Sequence, residues 1–233
     1  MPLLEINDLR KAFTAPDGSV HEVIRIPLFT LEARTQLALS GPSGTGKTTF
    51  LHLIAGILAP DAGRLALDGR EMSALTEAAR DRLRATAIGY IFQTFNLLQG
   101  FTVIENVLLG MSFGPGADRG RAEALLRRVG LGDRLQHFPR QLSTGQQQRV
   151  AVARALANQP KLVLADEPTG NLDIVNARAS LALIREACAE NGAALLLVSH
   201  DPGVLASFDR HASLAEINEA SRSPSTVPRS PSA

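Results

Sequence analysis

Four short, mostly apolar runs punctuate the chain, at residues 36–40, 88–92, 162–165 and 194–198. Runs of this length suit strands buried on both faces of a parallel sheet. Between them, residues 46–57, 145–157 and 174–190 carry apolar side chains at helical spacing. The alternation predicts an α/β fold with a mainly parallel sheet. The first 35 residues differ: short alternating pieces (Leu4, Ile6; Val23, Ile24, Ile26) flank a Pro16-Asp17-Gly18 turn, the pattern of an antiparallel β subdomain. Strand patterns are scarce between Gln93 and Ser143, where residues 103–109 and 121–129 predict helices joined by Gly and Pro loops. A mostly helical insertion over about residues 94–158 follows within one domain, residues 1–217. Residues 218–233, rich in Ser, Pro and Arg, predict a disordered tail.

Composition narrows the classes of function. The 233 residues hold 24 basic and 23 acidic side chains, a formal charge of +1. That balance argues against a nucleic-acid partner, which calls for a basic stripe or domain. No apolar run approaches the roughly 18 residues of a membrane span. Glu5 and Asp8 fall where a signal peptide would be basic and then apolar, so a cytoplasmic location is expected. The single cysteine, Cys188, cannot form an internal disulfide, in keeping with a reducing compartment.

The chemistry concentrates at the ends of the predicted strands. Gly41-Pro42-Ser43-Gly44-Thr45-Gly46-Lys47-Thr48 fits G-x-x-x-x-G-K-[ST], directly after a strand and before a helix. Its glycines let backbone N–H groups curl around phosphate oxygens, and the helix presents its positive end to the same anion. Lys47 is placed to reach the β and γ phosphates and Thr48 to ligate Mg²⁺. Only three of the 24 basic residues are lysine, so a compact point charge is retained at this position in an Arg-rich chain. Residues 162–165 lead into Asp166 and Glu167, the first suited to Mg²⁺ and the second to orienting the attacking water. Gln93 and His200 end two further strands. In an open parallel sheet such ends line one ligand crevice. Ser143-Thr144-Gly145-Gln146 opens a helix as a capping box, or, with its hydroxyl, glycine and helix N-terminus, as a second anion site. Two anion sites in one chain would serve a single nucleotide held between two copies.

These motifs resemble the ATP-binding subunit of ABC transporters over roughly residues 3–216. Gly41 to Thr49 resembles the Walker A loop and Gln93 the Q-loop glutamine. Leu142 to Gln146 resembles the signature, Leu162 to Glu167 Walker B with its catalytic glutamate, Asn171-Leu172-Asp173 the D-loop, and His200 the switch histidine. The resemblance implies catalytic roles for Glu167, His200, Lys47 and Gln93, with Mg²⁺ held by Thr48, Gln93 and Asp166. It implies ATP contacts from Phe13, from Gly41 through Thr49 and, across a homodimer, from Ser143, Gly145 and Gln146. Finer features, Phe92-Gln93 with Phe95-Asn96-Leu97-Leu98 and the run Pro168 to Asp173, are similar to the lipoprotein-release and macrolide-export branch. Relatives of this kind sit on the cytoplasmic face of the inner membrane and drive an integral membrane permease. A docking loop for that partner is expected at residues 94–98, with packing inside the helical insertion as its alternative.

Three positions depart from the family pattern. Thr144 stands where the signature usually has glycine, Phe13 where the adenine-stacking residue is usually tyrosine, and the chain after His200 lacks the usual glycine-containing hairpin. Two other functions stay open at this level. An ATPase of the same family could regulate a permease-like partner that transports nothing, as in cell division. A soluble non-transport cassette is the other, although such chains usually carry two cassettes or a long coiled coil.

Overall fold

A computed structural model describes residues 2–221. Strands β1 (Leu4–Thr14) and β2 (Val20–Leu31) form an antiparallel ribbon, paired from Leu4 opposite Leu31 to Thr14 opposite Val20. Its turn closes through Ala15 N–H to the Ser19 carbonyl at 2.8 Å, with the Asp17 carboxylate accepting from Ser19 N–H. Alternation places Leu4, Ile6, Ile24 and Ile26 on the buried face, and an irregularity at Asp8, with φ +49°, brings Leu9 into the same core. β3 (Gln36–Ser40) then enters the second sheet and feeds α1 (Lys47–Ile54). β4 (Ala62–Leu67) and β5 (Arg70–Glu71) return to the first sheet, so the antiparallel layer reaches well beyond the first 35 residues.

α2 (Glu77–Ala87) leads to β6 (Ile88–Ile91). The insertion follows as α3 (Val103–Ser112), α4 (Arg119–Arg128) and α5 (Thr144–Leu156). β7 (Leu162–Asp166), α6 (Ile174–Glu190), β8 (Ala194–Ser199), α7 (Pro202–Leu205), β9 (His211–Ser213) and α8 (Leu214–Ile217) complete the order. The second sheet runs β6-β7-β8-β3-β9 with every pair parallel. All four apolar runs are strands in it.

Three apolar clusters hold the layers together. Between the sheets, α1 buries Phe50, Leu51, Leu53 and Ile54, with Phe29 and Phe50 edge to face at 5.5 Å. Behind the parallel sheet lie Val152, Leu156, Leu181 and Ile184 from α5 and α6. The helical insertion has its own core, built on Val103, Val107, Met111, Leu126 and Val150.

Two expectations change. Phe95 and Leu97 are buried in the insertion core, so most of the expected docking loop points inward and Leu98 alone of its apolar residues is exposed. The reason is local: Phe95 and Asn96 take positive φ, Asn106 pins Leu98 through both its N–H and its carbonyl, and Arg154 grips the carbonyls of Phe95 and Asn96 at 2.6 Å each. The tail boundary also moves. Residue 218, expected to open a disordered segment, is wholly buried: the Asn218 amide accepts from Arg25 N–H and donates to the Val23 and Thr45 carbonyls. An asparagine is buried without penalty when its hydrogen bonds are met, and residues 219–221 complete the fold as a short 3₁₀ turn. The remainder of the expected tail, 222–233, lies outside the described residues.

Candidate active site

The carboxyl ends of β3, β6, β7 and β8 open on one cleft of about 360 Å³, lined by Ser43, Gly44, Gly46, Lys47, Thr48, Thr49, Gln93, Asp166, Glu167 and His200. Parallel pairing fixes this convergence, since it brings Ser40 beside Ser199 and Ile91 beside Ala165. Gly46 is required by its backbone: φ is +89°, and a Cβ there would lie 2.9 Å from Ile24 Cδ1. The loop is braced internally by the Thr45 hydroxyl on the Pro42 carbonyl at 2.8 Å.

Lys47 is almost buried and folds back on its own loop, donating to the Gly41 carbonyl at 2.6 Å and the Pro42 carbonyl at 3.2 Å. Its ammonium also lies 3.3 Å from Glu167 Oε1. The cation is thus held where a phosphate would be met, by acceptors that an anion of higher charge can displace. Glu167 has φ +43°, an uncommon conformation for a side chain of its size. Its N–H still pairs with the Val198 carbonyl at 3.0 Å, so the sheet continues one residue further while the side chain swings over the cleft. There Oε1 lies 2.7 Å from His200 Nδ1, and Oε2 accepts from the Ser199 hydroxyl at 3.1 Å. Ser199 was not among the residues expected from sequence, and its place one residue before His200 was the available signal.

Asp166 is buried and takes a hydrogen bond from the Thr48 hydroxyl. Desolvation raises its pKa above the usual carboxylate value, and the neighbouring Glu167 adds to this; Thr48, His52 and Lys47 act in the opposite direction. A buried anion beside a hydroxyl, without an ion-pair partner among the described residues, is a donor set that fits a hard divalent cation.

The remaining candidates stand outside this cleft. Phe13, 42% exposed on β1, is no core residue; its ring is accessible and has the Lys11 ammonium 5.7 Å from its centroid. Ser143 caps α5: its hydroxyl accepts from Gln146 N–H at 3.3 Å, and the Gln146 side chain accepts from Ser143 N–H at 3.0 Å. Gly145 faces α6, where a Cβ would come within 3.3 Å of Asn176 Oδ1. The phosphate loop and the Ser143 turn are therefore two separate surfaces of one chain.

A glycine-rich loop on a parallel sheet, with lysine, threonine and paired carboxylates at adjoining strand ends, defines a phosphate-loop nucleoside triphosphatase. Comparison with known proteins narrows the class. The family profile described as ABC transporter matches residues 26–170. The lipoprotein-releasing system ATP-binding protein LolD of Shewanella sp. (strain MR-4) is 42% identical over 212 residues, covering 89% of this chain and 91% of that protein. The macrolide export ATP-binding/permease protein MacB of Syntrophobacter fumaroxidans is 42% identical over 209 residues; the match takes in 88% of this chain and 29% of that longer protein. A dimeric, post-hydrolysis structure of the ATP-binding cassette MJ0796 bound to ADP and Pi superposes with a TM-score of 0.83 at 31% identity, covering 93% of this chain and 95% of that one. The chain belongs to the ABC transporter family, as its ATP-hydrolysing, ATP-binding subunit. Among the described residues no helix is long and apolar enough to cross a membrane.

Proposed function

We propose that this chain is the motor subunit of a lipoprotein-release or macrolide-export type transporter. Two copies enclose two ATP molecules and drive an integral membrane permease from the cytoplasmic face of the inner membrane. The observation that carries the proposal is the meeting of Lys47, Gln93, Asp166, Glu167 and His200 in one cleft, while Ser143 and Gly145 lie on a second surface.

In this proposal the backbone of residues 41–49 cradles the phosphates, Lys47 leaves the Gly41 and Pro42 carbonyls to neutralise the terminal phosphates, and Phe13 stacks on the base. Thr48, Asp166 and Gln93 would hold Mg²⁺, which when bound neutralises phosphate charge. Glu167, freed from Lys47, positions the attacking water and accepts its proton, and His200 holds the carboxylate in place through Nδ1. Ser143 and Gly145 of the other copy complete the γ-phosphate's surroundings. The permease contact shifts from the buried residues Phe95 and Leu97 to a groove of about 510 Å³ between α2, β6 and the helical insertion, where Phe113 is exposed beside Arg82 and Tyr90.

The test separates binding from chemistry. Lys47→Ala is expected to weaken ATP binding by tenfold or more, the order expected for losing a charge-assisted contact. Glu167→Gln is expected to keep binding while hydrolysis stops, because the amide preserves shape and loses the base. An equal loss of ATP affinity in both variants, measured by fluorescent-nucleotide titration, would overturn the role of Glu167.

A further inference from the structure

The end of the parallel sheet opposite the nucleotide cleft carries a second polar site. β3 and β8 begin there, at Gln36 and Ala194, and the chain enters β9 at His211. An open depression of about 420 Å³ lies at these strand starts, lined by Arg34, Thr35, Gln36, Arg185, Asp209 and Arg210. Every one of these residues is polar or charged, so the walls offer little to an apolar ligand. The lining holds three guanidiniums and one carboxylate, in a chain whose formal charge is only +1. Seven other arginines form ion pairs, and none of these three does so among the described residues.

The three are placed by forces other than ion pairing. Arg185 Nε donates to Gln36 Oε1 at 2.9 Å, and the Gln36 amide donates back to the Arg185 carbonyl at 2.9 Å. Its Nη1 donates to the Ser207 carbonyl and its guanidinium lies 4.9 Å from the centre of the Phe208 ring, which leaves a fixed cation with Nη2 free to donate. The Arg210 carbonyl accepts from Ala38 N–H at 3.1 Å, so the main chain there is tied to the sheet edge. Arg34 is the most telling. Its φ is +62°, a conformation that glycine adopts freely and a long side chain only with strain. A Cβ on Gly192 would lie 3.7 Å from Arg34 Nε, so this strained residue runs its side chain across the turn that opens β8. Strain kept at an exposed turn is a sign that the side chain itself is used. The geometry points to a phosphate-group site at this end of the sheet, separate from the nucleotide cleft. Planar guanidinium forks match phosphate oxygens, and the surplus of positive charge suits a group with more than one negative charge. The depression has room for such a group and part of whatever bears it, as a free phosphate compound or as a lipid head group. This site does not depend on the composite nucleotide site proposed above.

The test uses the full chain saturated with Mg²⁺ and a non-hydrolysable ATP analogue, so that the nucleotide cleft already holds its own phosphates. Calorimetric titration with inorganic phosphate is expected to show saturable binding. Arg34→Gln and Arg210→Gln are each expected to weaken it about tenfold, the order for one lost charge-assisted hydrogen bond. Affinity for the ATP analogue and the melting temperature are expected to stay unchanged. Arg34→Gly is expected to lose phosphate binding to the same degree while melting no lower, because glycine relieves the backbone; it separates loss of the guanidinium from loss of the fold. In a second arm the same proteins are floated with phosphatidylglycerol vesicles, with phosphatidylcholine vesicles as the neutral control. Flotation lost in the variants, with or without binding of free phosphate, assigns the lipid head group. Variant-sensitive binding of inorganic phosphate without flotation assigns a free phosphate compound. Absence of both signals, or equal signals from wild type and all three variants, would overturn the inference.

Discussion

Asp166 shows how function sets the state of a single side chain. Its carboxylate is buried beside Glu167, an arrangement that favours protonation. A carboxyl group with a raised pKa holds its proton in the native state at pH values where the unfolded chain has lost it. Stability therefore falls as pH rises from the ordinary value of 3.8 through the raised one. Asp166→Asn is expected to raise the melting temperature of the ligand-free protein at pH 7.5, with the gain shrinking towards pH 4, and to abolish Mg²⁺-dependent hydrolysis. Melting curves across that range, beside an ATPase assay, check both halves. Tyr90 carries a polar atom that is not met: its hydroxyl is buried without a hydrogen-bond partner among the described residues while its ring stacks on Phe92 at 4.1 Å. Tyr90→Phe is expected to leave stability equal or raise it by about 1 kcal/mol, since an unsatisfied buried hydroxyl costs that order. Chemical denaturation measures the difference.

At the scale of elements, the most consequential tie is one that composition hides. Asn218 joins the end of the fold to β2 and to the phosphate loop through the Val23 and Thr45 carbonyls. Asn218→Ala leaves these groups and Arg25 N–H without their partner, at an expected cost of about 3 kcal/mol, and loosens the loop, so ATP affinity is expected to fall as well. A denaturation curve with a nucleotide titration tests this. Such long-range ties explain where the sequence was legible and where it was not. The parallel strands could be read because burial on both faces writes a continuous apolar run, and α6 was placed at residues 174–190 by its periodicity. The strand ends needed no further information, because parallel pairing alone gathers Gln93, Asp166, Glu167 and His200. Residues 94–98 were misjudged because an apolar stretch looks alike whether it faces a partner or its own core. Side chains outside the stretch decide the direction: Asn106, and Arg154, 58 residues beyond Asn96. β4 and β5 escaped notice because β4 is exposed over residues 62–64 and buried over residues 65–67, so it shows neither alternation nor a continuous apolar run, and β5 has only two residues.

For the whole molecule, the separation of the Ser143 turn from the phosphate cleft is what calls for a second copy under the proposed composite site. Ser143→Arg is expected to abolish ATPase activity while monomer ATP binding stays near wild type, with about 1 kcal/mol lost through the helix cap. A cap without a nucleotide role would show the stability loss alone, so a melt and an activity assay together distinguish the two.

Helix α5 carries this further. It starts at the Ser143 turn, and about 15 Å along its axis Arg154 clasps the Phe95 and Asn96 carbonyls, just past Gln93. In the proposed dimer, one end of this rod senses the nucleotide of the opposite copy and the other end steadies the loop that senses its own. The two hydrolysis events are then mechanically linked inside each subunit, and the ATP dependence of turnover is expected to be sigmoidal. Arg154→Ala is expected to cut the link and bring the Hill coefficient towards one while some turnover persists, so the shape of a single saturation curve reports whether the two sites fire in concert or alone.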